Sequence, residues 1–137
     1  MALGELTSGA VVSVSPSTPV PTLAERMLAE NVRCVVVTEQ SRPVGVVTDR
    51  ELALSLTDAF DVTALDAADL MDEAFAVVHT DACVRDVLQS MHRTASRRAT
   101  VVDDARRLVG VVTLDQLVAT VSRELVETIR AVGPPTQ

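Results

Sequence analysis

Residues 43–53 read PVGVVTDRELA, and residues 108–118 read LVGVVTLDQLV. In both, an apolar strand-like run ends at a threonine, Thr48 or Thr113, and a polar cluster follows. Apolar residues then resume at helical spacing. Gly110 lies 65 residues after Gly45, and the same offset sets Thr113 on Thr48 and Leu117 on Leu52. Upstream it sets Val101-Val102 on Val36-Val37 and Arg98 on Arg33. One extra residue in the second copy, near Ala95 and Ser96, reduces the offset to 64. Met91 then falls on Met27, Val84 on Val20 and Val78 on Val14. The chain is therefore read as an internal duplication.

Each copy has the same layout. Val11–Val14 and Phe75–Val78 read as short strands. A helix follows, with Val20, Leu23, Ala24, Met27 and Leu28 on one face in the first copy, and Val84, Val87, Leu88 and Met91 in the second. Ser17 or Thr18 and Asp81 are candidate N-caps, and Pro19 and Pro21 suit a first turn, where no N–H is needed. Two strands come next, Cys34–Thr38 with Val44–Thr48, and Ala99–Asp103 with Leu108–Thr113. Their four-residue connections, 39–42 and 104–107, predict antiparallel hairpins. A last helix starts near Asp49 and near Leu114. The order β-α-β-β-α twice predicts an α+β fold whose two sheets pack face to face about a pseudo-twofold axis, since each copy alone leaves an apolar face open. The expected boundaries are 1–57 for the first motif, 58–66 for a linker, 67–132 for the second motif and 133–137 for a flexible tail. A short helical turn at Ala67–Met71 leads into the second motif. In the last helix Leu117, Val121, Leu125 and Ile129 make a stripe whose far end predicts a dimer contact.

Composition narrows the function. The chain has 137 residues, is 47% hydrophobic and carries two aromatics, Phe60 and Phe75. All 12 basic residues are Arg. A phosphate-loop lysine, a Schiff-base lysine and a Ser-Lys dyad are thereby excluded. A net charge of −7 argues against contact with nucleic-acid backbones. No apolar run approaches the roughly 20 residues of a membrane span, and no signal peptide is evident, so a cytoplasmic location is expected. Cys34 and Cys83 lie far apart and read as buried thiols. His79 and His92 have no Cys or His at metal spacing, so no metal site is expected. No catalytic residue is assigned, and the chain is read as no enzyme.

The tandem β-α-β-β-α layout with a Gly-x-x-Thr strand end resembles the CBS domain (cystathionine-β-synthase domain) pair, or Bateman module, here stand-alone. VRCVVVTEQSRPVGVVTDREL and RRATVVDDARRLVGVVTLDQL carry the resemblance, with Asp69-Leu70-Met71 before the second copy. It spans roughly Leu3 to Val126. It implies a regulatory module that binds an adenosine-containing ligand (AMP, ADP, ATP, S-adenosylmethionine, sometimes NAD) in the clefts between the motifs, with no obligatory cofactor. It also implies a homodimer, a flat disc of four motifs, that signals to a separate protein partner. A constitutive homodimeric interaction module without a nucleotide is the alternative.

In the family the strand-end threonine meets phosphate or ribose, and an acid three residues later meets the ribose. Thr48 and Thr113 match the first role. Glu51 and Gln116 stand at the second, so the resemblance makes the first cleft the preferred site. That cleft is assigned Thr48, Asp49, Arg50, Glu51, Arg33, Cys34, Val35, Ser13 and Val14. The second is assigned Thr113, Asp115, Gln116, Arg97, Arg98, Thr100, Val78 and His79. Val35 and Thr100 replace the family's usual proline. A helix N-terminus with a hydroxyl and an Arg is a sound anion site. Thr-x-x-Glu and Thr-x-x-Gln are equally capping boxes that need no ligand.

Overall fold

The computed structural model describes residues 3–6, 11–58 and 61–134. Helix α1 (Leu3–Leu6) precedes β1 (Ser13–Val14), α2 (Val20–Glu30), β2 (Cys34–Glu39), β3 (Arg42–Thr48) and α3 (Asp49–Asp58). A 3-10 turn at Val62–Ala64 connects to α4 (Ala67–Leu70), β4 (Val77–His79), α5 (Val84–Arg93), β5 (Arg98–Val102), β6 (Leu108–Thr113) and α6 (Leu114–Val132). The sheets have orders β1-β2-β3 and β4-β5-β6, the first pair parallel and the second antiparallel in each. This is the α+β duplication that the repeat predicts.

Valine builds both sheets because a β-branched side chain suits a pleated, covered surface. Val35, Val36 and Val37 are consecutive and all buried. Successive strand residues point to opposite faces, so both faces of β2 are covered. Val35 and Val37 join Leu23, Met27 and Val47 in the first core. Val36 faces the other half. In β5, Ala99 and Val101 join Val87, Met91 and Leu117 in the second core, while buried Thr100 faces the other half and donates to the Ala76 carbonyl at 2.8 Å.

The structure corrects the register of the repeat. Val37 pairs with Gly45 and Val101 with Gly110, so the middle strands match at an offset of 64. Val32 N–H donates to Met27 and Ser96 N–H to Met91, again 64 apart. Asn31 and Ala95, the equivalent residues after α2 and α5, both have left-handed φ, 53° and 50°. No residue is inserted near Ala95. The extra residue lies in the second hairpin. The first hairpin turns on two residues, Gln40 and Ser41, both at positive φ as a type I′ turn requires. The second turns on residues 103–107, held by Asp103, which accepts from Ala105 N–H and Arg107 N–H at 2.9 Å. The bond from Arg107 N–H holds the Asp103 carboxyl below its usual range. The equivalents therefore change: Arg33 matches Arg97, and Cys34 matches Arg98.

Leu3 packs in the second half's core, and Ala67, 64 residues later, packs in the first half's core. Each half's leading helix thus completes the other half. Gly45 permits this on one side, since a Cβ there would stand 2.5 Å from the Met71 sulfur.

Smaller expectations also change. β1 and β4 are shorter than predicted, and β4 ends at His79. Ser17, Thr18 and Asp81 cap no helix: Pro19 and Cys83 occupy the N-cap positions without side-chain bonds. For α2 the linker replaces a side chain, because Val20 N–H donates to the Leu65 carbonyl. Leu28 is 84% exposed, Leu88 is 42% exposed and Ala24 is exposed, because α2 and α5 rest on their sheets along a narrower line. Of the predicted tail, residues 135–137 lie outside the described residues.

Candidate functional site

Among the described residues, two clefts lie between the halves. The wide one has a volume of about 410 Å³ and is lined by Val11, Val12, Val32, Arg33, Cys34 and Val36 of the first half with Arg98, Val111 and Thr113 of the second. The narrow one has about 30 Å³, with Phe75, Ala76, Ser96 and Thr100 facing Val46 and Thr48. Each cleft thus joins the strand entry of one half to the threonine of the other. This corrects the predicted grouping: Arg33 shares a cleft with Thr113, not with Thr48, while Cys34 borders both clefts. The end of β6 lies across this cleft from the start of β2. A side pocket of about 150 Å³ at Arg97, Arg98, Thr113 and Asp115 adjoins the wide cleft, sharing Arg98 and Thr113.

The two threonines differ in their free valences. Thr113 caps α6: its hydroxyl oxygen accepts from Gln116 N–H at 3.2 Å, and Gln116 Oε1 accepts from Thr113 N–H at 2.9 Å. Its own O–H has no acceptor among the described residues. Thr48 accepts from Arg50 N–H at 3.2 Å and donates its hydroxyl proton to Glu51, which also takes Thr48 N–H at 2.8 Å. Thr113 keeps a proton to give, next to a neutral amide. Thr48 has spent its proton on a carboxylate.

Arg33 and Arg98 form none of the ion pairs among the described residues. Arg97 pairs with Asp115 at 3.3 Å on the surface. Cys34 lies near the pseudo-twofold axis, beside Arg98. Burial pushes its thiol up to about 11, against the pull of Arg98 and with some help from Glu51 and Asp49. Cys83, expected to be buried, is exposed. At pH 8 roughly one Cys34 thiol in a thousand is thiolate, and thiolate is the reacting form. Iodoacetamide at pH 8 should therefore label Cys83 first and Cys34 roughly tenfold or more slowly, as read by peptide mass. Equal rates would contradict this placement of Cys34.

The remaining predicted residues lie elsewhere. Val14, Val35 and Val78 are core residues. Ser13 is exposed, and its carbonyl accepts from Arg26. Asp49 and Arg50 are exposed at the start of α3. His79 lies in neither cleft. Its Nε2 is 2.5 Å from Asp104, and its Nδ1 accepts from Asp81 N–H at 3.0 Å. His79, Asp81 and Asp104 form a group with metal-ligand spacing, in contrast to the sequence reading, because the hairpin brings Asp104 across 25 residues. Val11, Val12, Val32, Val36, Val111 and Phe75 were not legible as lining. The offset of 64 already sets Phe75 on Val11, but spacing alone does not say which cleft either one lines.

No helix among the described residues is long and apolar enough to cross a membrane. The sequence matches the CBS domain family over residues 3–58 and 64–123. It is 28% identical to the uncharacterized protein MK0525 of Methanopyrus kandleri, over 91% of this chain and 68% of that protein. The fold is similar to that of the CBS domain protein PAE2072 from Pyrobaculum aerophilum complexed with AMP (TM-score 0.76, 23% identity, 85% of this chain and 90% of that one). It is also similar to the CBS domain pair of protein MJ0100 in complex with 5′-methylthioadenosine and S-adenosyl-L-methionine (TM-score 0.76, 19% identity, 90% and 98%). The duplicated β-α-β-β-α units, their exchanged leading helices and these two matched segments make the chain a member of the CBS domain family, with two motifs in tandem.

Proposed function

We propose that the protein is a regulatory module that holds an adenosine-containing nucleotide in the wide cleft, through phosphate contacts to Arg33, Arg98 and Thr113. One observation carries this reading. In a chain of net charge −7, two arginines line the same cleft and neither takes part in an ion pair among the described residues. Arginine suits phosphate oxygens because its donors form a planar fork. Thr113 adds a hydroxyl at the N-terminus of a 19-residue helix, where backbone N–H groups favour an anion. Val11, Val12 and Val32 give an apolar wall for a base. The volume falls within the roughly 300–1,000 Å³ of small-molecule sites. PAE2072 with AMP and MJ0100 with sulfur-linked adenosines support the ligand class. The wide cleft has no carboxylate in its lining, so anionic nucleotides fit it better than the cationic S-adenosylmethionine.

The output passes to a separate protein through a homodimer. Val121, Leu125 and Ile129 of α6 are 41–59% exposed, and a second copy covers this stripe. The alternative, an assembly module without a nucleotide, draws on the same stripe and on the complete Thr113–Gln116 cap. A thermal-shift panel with light scattering separates the two. AMP, ADP or ATP at millimolar concentration should raise the melting temperature, since ligand at 100 times its Kd adds about 2.7 kcal/mol. S-adenosylmethionine should do less. The scattering mass should be twice 14.6 kDa. A panel without any shift, NAD included, sinks the nucleotide reading, and a monomer mass sinks the dimer.

A further inference from the structure

We propose that the narrow cleft is an occluded copy of the wide one, closed by Phe75, so that each chain takes one nucleotide and not two; this rests on the nucleotide reading of the wide cleft. The corrected register makes the comparison residue by residue. Val12 becomes Ala76 and Val32 becomes Ser96, both smaller, while Val36 becomes Thr100 at nearly equal size. Cys34 and Arg98 exchange places across the axis and border both clefts. Only Val11 to Phe75 adds volume. Yet the space falls from about 410 Å³ to about 30 Å³. The phenyl ring takes up part of this space where its neighbours have shrunk.

Two further observations point the same way. The Thr48 hydroxyl is spent on Glu51, which sets a carboxylate at the place where the wide cleft has the neutral Gln116. A phosphate arriving there meets a like charge, and the Thr48 hydroxyl has no proton left for it. The arginine that lines the wide cleft, Arg33, has as its equivalent Arg97, and Arg97 lines the side pocket and pairs with Asp115 instead. Ring, carboxylate and the loss of one of two arginines are independent, and each diminishes one part of a nucleotide site: room, hydroxyl and charge. Phe75 also supplies apolar contact where a bound base would otherwise fill the gap between the halves. The narrow cleft is thus held shut in the ligand-free chain, and any response to nucleotide comes from one side of the pseudo-twofold axis.

Calorimetric titration of AMP into the full chain tests this, with melting curves confirming that each variant is folded. The wild type should bind one AMP per chain. Phe75→Val/Glu51→Gln should bind two, the second more weakly, and the second should persist when Arg33→Ala is added. Val11→Phe, which installs the plug in the wide cleft, should abolish wild-type binding without unfolding the chain; it keeps the test decisive should the double variant fail to fold. Two sites in the wild type, or undiminished binding by folded Val11→Phe, overturns the proposal. One site in both wild type and the folded double variant also overturns it while leaving the wide-cleft reading intact. No binding by the wild type with one site in the double variant upholds the plug and removes the wide-cleft reading. No binding by either removes both.

Discussion

Leu3→Ala should destabilise the chain by about 2–5 kcal/mol, the range for emptying a buried leucine site, although Leu3 lies in a helix of only four residues. Its side chain is fully buried among Val78, Val87, Val112 and Leu117, all of the second half. The first core receives Ala67, Leu70 and Met71 from the start of the second repeat in the same way. Deleting three side-chain carbons from Leu3 therefore leaves a cavity in a core that its own repeat does not build. Leu28→Ala removes the same atoms from a side chain that is 84% exposed, so the change should stay within about 0.5 kcal/mol. Urea denaturation of both variants checks the pair. Similar losses for the two would mean that α1 is not part of the second core. The exchange also explains why the halves belong together, since units of about 60 residues are marginal even when complete.

Much of this fold was legible because its signals are local and repeated. The valine runs ending in Thr48 and Thr113, the helical spacing of Val20, Leu23 and Met27, and the offset of the two copies each need only a few neighbouring residues. The exchange of α1 and α4 was not legible, because nothing in LGEL or AADL says which sheet they will meet. The site was read less well for a related reason. A gap near Ala95 matches Arg33 to Arg98, because SRRA offers two adjacent arginines. Hydrogen-bond register decides in favour of Arg97, and the extra residue moves into a hairpin loop, where length is tolerated. The family pattern favours Thr48 because Glu51 retains an acid. In the folded chain that acid bonds to its own threonine, and the open space lies at the other end of the duplication.

The second large effect follows from that reversal. Arg33→Ala and Thr113→Val each remove a donor from the wide cleft. Hydrogen bonds to charged groups contribute about 1.5–3 kcal/mol, and each 1.4 kcal/mol is about tenfold in affinity. Either change should therefore weaken AMP binding by roughly tenfold or more. Thr48→Val is the matched control. It too removes a hydroxyl at a helix start, with a similar stability cost of about 0.5–2 kcal/mol, but its hydroxyl serves Glu51 and lines the narrow cleft. Loss of a helix cap is thus common to both threonine variants, and only contact with ligand separates them.

The most direct test is the AMP affinity of Thr113→Val and Thr48→Val measured side by side by calorimetry. A drop of roughly tenfold or more for Thr113→Val, with Thr48→Val close to the wild type, is the predicted result. Loss of binding in Thr48→Val with Thr113→Val unaffected would contradict it and return the site to the cleft that Phe75 fills.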